Sequence, residues 1–429
     1  MRFYVSILGL LLVYLHTNGQ INNLILSGPM LGPMTTKDVT IWVQVKEKAK
    51  LHIEYSEVGS PVVYQSEIKK AKPSNEFIVT WHLFPLKENT TYQYRIIAGN
   101  TKLTPLHMFK TPHHWRFRTD APDFSFLTGS CLYINDSIQD RPGKPYGGSY
   151  EILSHMAKDT ADFMLWLGDN TYLREGDFES RRGIYYRQSH TRRLPELQPL
   201  LSKMAHYAIW DDHDYGPNDS DWTYPLKKHS LDAFQDFWPS ESYGAGHTEG
   251  ITSSFIWNDC SFFLLDNRWY RTVDKQGTIL GDQQKYWLKE ALLSAPTQYK
   301  FIAVGGQFLS DFAGFENFAN YTEERQEIID FIDENNITNV IFLTGDRHHS
   351  EITKLVTDKG NIIYDVTSSA ITSTTYDHKD EPNHLRVEGS MIAVRNYAKI
   401  SIKGKKNNRS LVVEFIDKEG NQIFAYKIN

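Results

Sequence analysis

The sequence predicts a mixed α/β protein in two parts. A β-sandwich of the immunoglobulin or fibronectin sort is expected over residues 20–118, and a layered α/β domain over 119–429. Three observations lead there. Between residues 22 and 118, apolar and polar side chains alternate in short segments split by turn clusters, the pattern of strands with one wet face. From residue 123 onward the apolar runs become continuous, as in strands buried on both faces, with helical stretches between them. Five of the later strand-like segments then break directly into carboxylates, imidazoles, a thiol or a phenol. Strands of an open α/β sheet deliver such endings to one crevice at their carboxyl ends.

In chain order, residues 1–19 read as a cleaved export signal. Arg2 supplies the positive start, Val5 to Leu15 an apolar core, and Thr17-Asn18-Gly19 a polar end before Gln20. That core is too short to cross a bilayer, and no later run is long and apolar enough. The mature protein is therefore expected to be exported, periplasmic or secreted, with no membrane span. The sandwich follows in Val39 to Val45, Lys50 to Tyr55 and Thr91 to Ile96, with turns at Gly59-Ser60-Pro61 and Lys72-Pro73-Ser74-Asn75. Phe117 to Asp120 and Pro122 mark the join to the second part.

There, Phe124 to Leu127, Phe163 to Leu167, Phe301 to Val304 and Val340 to Leu343 are the buried strands. Asp282 to Leu293 and Thr322 to Asn335 are the helices, the second carrying Ile328, Ile329 and Ile332 on one face. The tail from Ile392 returns to hairpin patterning, turns at Lys418-Glu419-Gly420-Asn421, and is expected to finish the sheet. A length of 429 residues allows each part its own core. The net charge of -6 excludes a scaffold that holds nucleic acid by basic charge.

The chemistry sits in the strand endings. In Gly168-Asp169-Asn170-Thr171-Tyr172, glycine lets the chain turn off the strand and the aspartate then projects; one carboxylate can bridge two cations. Gly-Asp alone is also a common turn. Trp210-Asp211-Asp212-His213-Asp214 is more specific, because three carboxylates around an imidazole repel one another unless a cation or guanidinium compensates them. Gly216-Pro217-Asn218-Asp219 adds oxygen donors suited to a hard cation. In Gly345-Asp346-Arg347-His348-His349, an extended backbone would put Asp346 and His348 on one face and turn His349 away. Arg268, in Asp266-Asn267-Arg268, fits either a phosphate clamp or a structural ion pair. Cys260 lies inside a strand-like run, where a buried free thiol is expected, whereas Cys131 follows Gly129-Ser130 at a strand end and is a candidate ligand.

Together, Gly-Ser-Cys, Gly-Asp-x-x-Tyr, Trp-Asp-Asp-His-Asp, Leu-Asp-x-Arg and Gly-Asp-x-His resemble, in order and spacing, the alkaline phosphatase D (PhoD-like) metallophosphatases, over about residues 22–429. That family is similar in core fold to purple acid phosphatases and calcineurin-like phosphoesterases. The resemblance implies a four-layer αββα catalytic domain holding Fe3+ with neighbouring Ca2+, and hydrolysis of small phosphoesters at alkaline pH. Carried over by position, Cys131, Asp169, Tyr172 and Asp346 surround the iron, and Asp212, Asn218 and His348 lie near the calcium. His213 stands beside the substrate, and it or Arg268 stabilises phosphoryl charge. The Gly216-Pro217-Asn218 loop departs from the family's usual form. A phosphodiesterase or phospholipase-like activity in the same site is the nearest alternative. A non-catalytic phosphate- or glycan-binding surface protein is the alternative from another class.

Overall fold

The computed structural model describes residues 24–406 and 408–428; the expected export signal lies outside them. Two large sheets organise the chain. The nine-stranded sheet runs, edge to edge, Gln422–Ile428, Ser410–Asp417, Asn396–Lys403, Phe124–Gly129, Phe163–Leu167, Ala205–Ile209, Ile25–Met34, Val39–Val45, Ile78–Leu83. The six-stranded sheet runs Ser253–Trp257, Cys260–Leu264, Tyr299–Ala303, Val340–Thr344, Ile362–Thr367, Glu351–Val356. In both, the central strands are parallel and buried at nearly every position, as the continuous apolar runs predict.

Aromatic rings join the two sheets. Phe126 and Phe163 of the first meet Phe262 of the second edge-to-face at 5.3 and 5.4 Å, a favoured geometry for aromatic pairs. On the other face of the six-stranded sheet, helices Asp282–Ser294 and Thr322–Glu334 bury Leu288, Leu292, Ile328, Ile329 and Ile332 against Ile302, Val304 and Phe342. Both helices fall where the apolar periodicity places them. The tail also behaves as expected, its three antiparallel strands extending the nine-stranded sheet beside Phe124–Gly129.

The amino-terminal segment differs from a self-enclosed sandwich. Lys50–Glu57 and Thr91–Ala98 form a small sheet of their own, with the expected alternation of burial. Ile25–Met34, Val39–Val45 and Ile78–Leu83 instead continue the nine-stranded sheet, through the parallel pairing of Leu31 with Ala205. Val39–Val45 is consequently buried at all seven positions rather than every second one. Its outward Trp42 lies 5.8 Å from Phe237 and donates to the Asp236 carbonyl at 2.8 Å, so a helix from the second part covers the face that alternation would leave wet. Among the described residues no helix is long and apolar enough to cross a membrane.

Candidate metal centre

Register brings the reactive residues together. Gly129 pairs with Trp166, and Leu167 with Ile209, so three parallel strands of the first sheet end side by side. Cys131, Asp169, Asp346 and His348 then take left-handed backbone angles, with φ of 60°, 51°, 69° and 56°. Four such non-glycine residues at one place are costly and mark sites held by their surroundings. Two glycines admit the crowding. A Cβ on Gly168 would lie 2.6 Å from the Asp211 Cβ, and one on Gly305 would lie 2.5 Å from the Asp211 carboxyl and the Asn267 amide.

The result is four overlapping groups, the donor atoms of each lying within 4.8 Å of one another: Cys131, Asp169 and His348; Asp169, Asp212 and His213; Asp211, Asp212 and Asp346; and Asp212, Asp219 and Glu316. Asp169 is shared by the first two. The Cys131 thiol lies 3.5 Å from Asp169 Oδ2, and the Tyr172 hydroxyl 3.3 Å from His348 Nε2. Burial pushes the Cys131 thiol up to about 11, and pushes the Asp169 and Asp346 carboxyls well above the usual range, with neighbouring acids adding to the shift. Burial also raises Asp212, but His213, Arg268 and the Asp219 amide outweigh it and hold that carboxyl below its ordinary value. His213 is drawn down to about 4, chiefly by burial.

The residues fit metal ions. Asp169 Oδ1, Asp211 Oδ2, Asn267 Oδ1 and His213 Nδ1 are buried and have no hydrogen-bond partner. Orphaned buried polar atoms are costly, and a cluster of acceptor lone pairs with like-charged neighbours is what a cation relieves.

Several expectations change in detail. Among the described residues no one group of donors holds both Asp346 and His348, which lie on left-handed backbone rather than an extended segment, while His349 turns to Glu351. Their groupings are exchanged: His348 joins Cys131 and Asp169, and Asp346 joins Asp211 and Asp212. Arg268 is no free phosphate clamp. Its Nε donates to Asp211 at 2.6 Å, and both terminal nitrogens donate to Glu316 at 2.7 Å, so the guanidinium is an ion-pair partner. Asn218 is exposed, and the adjacent Asp219 brings a carboxylate to Asp212 and Glu316.

Asp214 accepts the Asn170, Thr171 and Asp211 amides at 3.0–3.2 Å, clamping one strand ending to the next. Glu316 has no local signal in the sequence, since its partner Arg268 lies 48 positions earlier. Asp211 could have been singled out, because it opens the Asp-Asp-His-Asp cluster and caps its helix. Both cysteines are free, and Cys260 is buried within its strand as expected.

Residues 126–419 match the model of the PhoD-like phosphatase family. Alkaline phosphatase D of Bacillus subtilis (strain 168) is 26% identical over 356 residues, covering 70% of this chain; the chain spans 57% of that relative's length. A solved structure of PhoD superposes with a TM-score of 0.76 at 19% identity, covering 95% of this chain and 92% of that one. The purple acid phosphatase PPD1 from yellow lupin (Lupinus luteus) seeds superposes with a TM-score of 0.68 at 12% identity, covering 94% of this chain and 74% of that one. With most of its length matched to one family model, the chain belongs to the PhoD-like phosphatases.

Proposed function

We propose that the protein hydrolyses phosphate esters of small molecules at alkaline pH, in a centre that takes iron(III) and calcium. The observation that supports this most is the gathering of buried metal-ligating side chains around Asp169, several with an oxygen or nitrogen that no hydrogen bond satisfies among the described residues. A thiolate and a phenolate suit a trivalent transition ion, and carboxylate oxygens suit calcium. Bound there, such ions acidify a water and neutralise phosphoryl oxygens. Cys131, Asp169, Tyr172 and His348 would hold the iron, and Asp212 and Asp346, with the Asn218-Asp219 loop, the calcium. The αββα layering belongs to the same reading, supported by the ring contacts between the sheets.

His213 has a different part. Because burial draws its pKa to about 4, the ring is neutral at alkaline pH. It packs on Tyr172 with centroids 4.3 Å apart, which fixes its orientation; its Nδ1 is sealed, while its Nε2 is not and has no hydrogen-bond partner among the described residues. An oriented imidazole with a free nitrogen can hydrogen-bond the phosphoryl group as charge builds on it. Export is also part of the proposal, supported by Arg2 and the apolar core from Val5 to Leu15. A mature amino terminus near Gln20 outside the cytoplasm is its test.

The function is tested by purifying the protein with iron and calcium. It should absorb visible light by phenolate- and thiolate-to-iron charge transfer and should release p-nitrophenol from phosphate esters. A colourless protein that is inactive on both mono- and diesters overturns the reading. His213→Ala should keep its metals and lose roughly 10²-fold or more in rate, the size of one lost transition-state hydrogen bond. Metal loss in step with activity would make His213 a ligand instead.

A further inference from the structure

A cationic side chain without an anion stands beside the centre. Arg174, two residues beyond Tyr172, is only 7% exposed. Its Nε donates to the Tyr133 hydroxyl at 3.1 Å, and its guanidinium carbon lies 4.8, 5.5 and 5.5 Å from the ring centres of Tyr133, Tyr146 and Tyr172. The rings brace one another, Tyr133 lying 4.7 Å from Tyr172 and 5.7 Å from Tyr146. Tyr146 is 40% exposed, so this cage opens outward. Tyr172 ties it to the centre through His348 and His213.

Among the described residues no ion pair uses Arg174. Nearby carboxylates are already taken, Glu175 by Arg141 and Asp177 by Arg187. Among the described residues the two terminal nitrogens of Arg174 have no hydrogen-bond partner, yet they are not among the sealed, orphaned atoms. Ring faces attract a guanidinium but leave its planar fork of N–H donors free in the plane, where phosphate oxygens fit.

We propose that Arg174 binds a non-bridging oxygen of the substrate's phosphoryl group and thereby favours phosphate monoesters over diesters, an inference that rests on the phosphoesterase reading above. At alkaline pH a monoester carries about two negative charges on three free oxygens, and a diester about one charge on two. A single fixed cation beside the metal ligands therefore gains more from the monoester.

The test compares Arg174→Gln and Arg174→Lys with the unaltered protein on p-nitrophenyl phosphate and bis(p-nitrophenyl) phosphate, with metal content and melting temperature measured in parallel. In Arg174→Gln, kcat/KM for the monoester should fall roughly 10- to 100-fold, the worth of a charge-assisted hydrogen bond, while the diester changes by less than about threefold and the metals remain. Arg174→Lys should recover part of the monoester rate, because it restores charge without the fork. Equal losses on both esters, no loss on either, or loss of metal would overturn the assignment. If Arg174→Gln does not fold, an unchanged monoester-to-diester ratio in Arg174→Lys does the same. Should the unaltered protein hydrolyse neither ester, the phosphoesterase reading falls on its own. Calorimetric binding of inorganic phosphate then decides the inference, with equal affinity in the unaltered protein and Arg174→Lys overturning it.

Discussion

Asp169 and Glu351 are both carboxylates with 1% exposure, one just past the end of a strand of the α/β core and the other at the start of one, yet their surroundings push them in opposite directions. Glu351 is fully partnered: Gln307 and Asn383 donate to Oε1 at 2.7 and 2.9 Å, and Arg386 and His349 face Oε2. Burial alone would raise its pKa, but His349 and Arg386 outweigh burial and hold it at about 2. Asp169 has a thiol on one oxygen and nothing on the other, and burial together with Cys131 and Asp212 raises it well above the usual range. The same chemical group is scaffold where the protein supplies its countercharge, and site where it does not. Arg268 and Arg174 repeat the contrast with opposite sign, one guanidinium consumed by Asp211 and Glu316, the other left without an anion.

The largest effect that could break this comparison is at Asp169. Asp169→Asn should lose metal and at least roughly 10²- to 10³-fold in turnover, the scale on which preorganised charge contributes. Without added metal, the same variant should melt higher than the metal-free parent, because a carboxyl whose raised pKa costs stability above pH 3.8 has been replaced by a neutral amide. Retained activity, or a lower melting temperature in the metal-free state, would show that Asp169 is partnered after all.

Glu351→Gln should behave in reverse. It breaks a buried ion pair with Arg386, so stability should fall by about 3 kcal/mol while metal content stays at the parental level. Chemical denaturation with metal analysis checks both parts. An unaltered midpoint would mean that the Arg386 pair contributes nothing net.

The acid limb of the stability curve sharpens the contrast with a smaller effect. The folded pKa of Glu351 lies below its ordinary value of 4.5. Its contribution is therefore present above pH 4.5 and is lost as pH falls toward 2, roughly 3 kcal/mol in total. In metal-free protein Asp169 acts oppositely. Its raised pKa means the folded state holds the proton more tightly, so stability declines as pH rises above the ordinary carboxyl value of 3.8. Glu351→Gln should flatten the first slope and Asp169→Asn the second. Identical pH profiles for both variants would remove the distinction.

What the sequence determined by itself was local. A strand, the turn that follows and the side chains on that turn span under ten residues, so apolar runs and their endings locate Cys131, Asp169, Tyr172, Asp212, His213, Asp346 and His348 without any knowledge of pairing. Helices Asp282–Ser294 and Thr322–Glu334 were legible for the same reason, since their apolar period is set by the helix itself. Tertiary structure decided everything that depends on a partner far along the chain. Whether Arg268 faces a phosphate or Glu316, which of Asp346 and His348 stands beside Cys131, and whether Trp42 faces water or Phe237 are questions of countercharge and cover, answered by residues from 48 to 217 positions away.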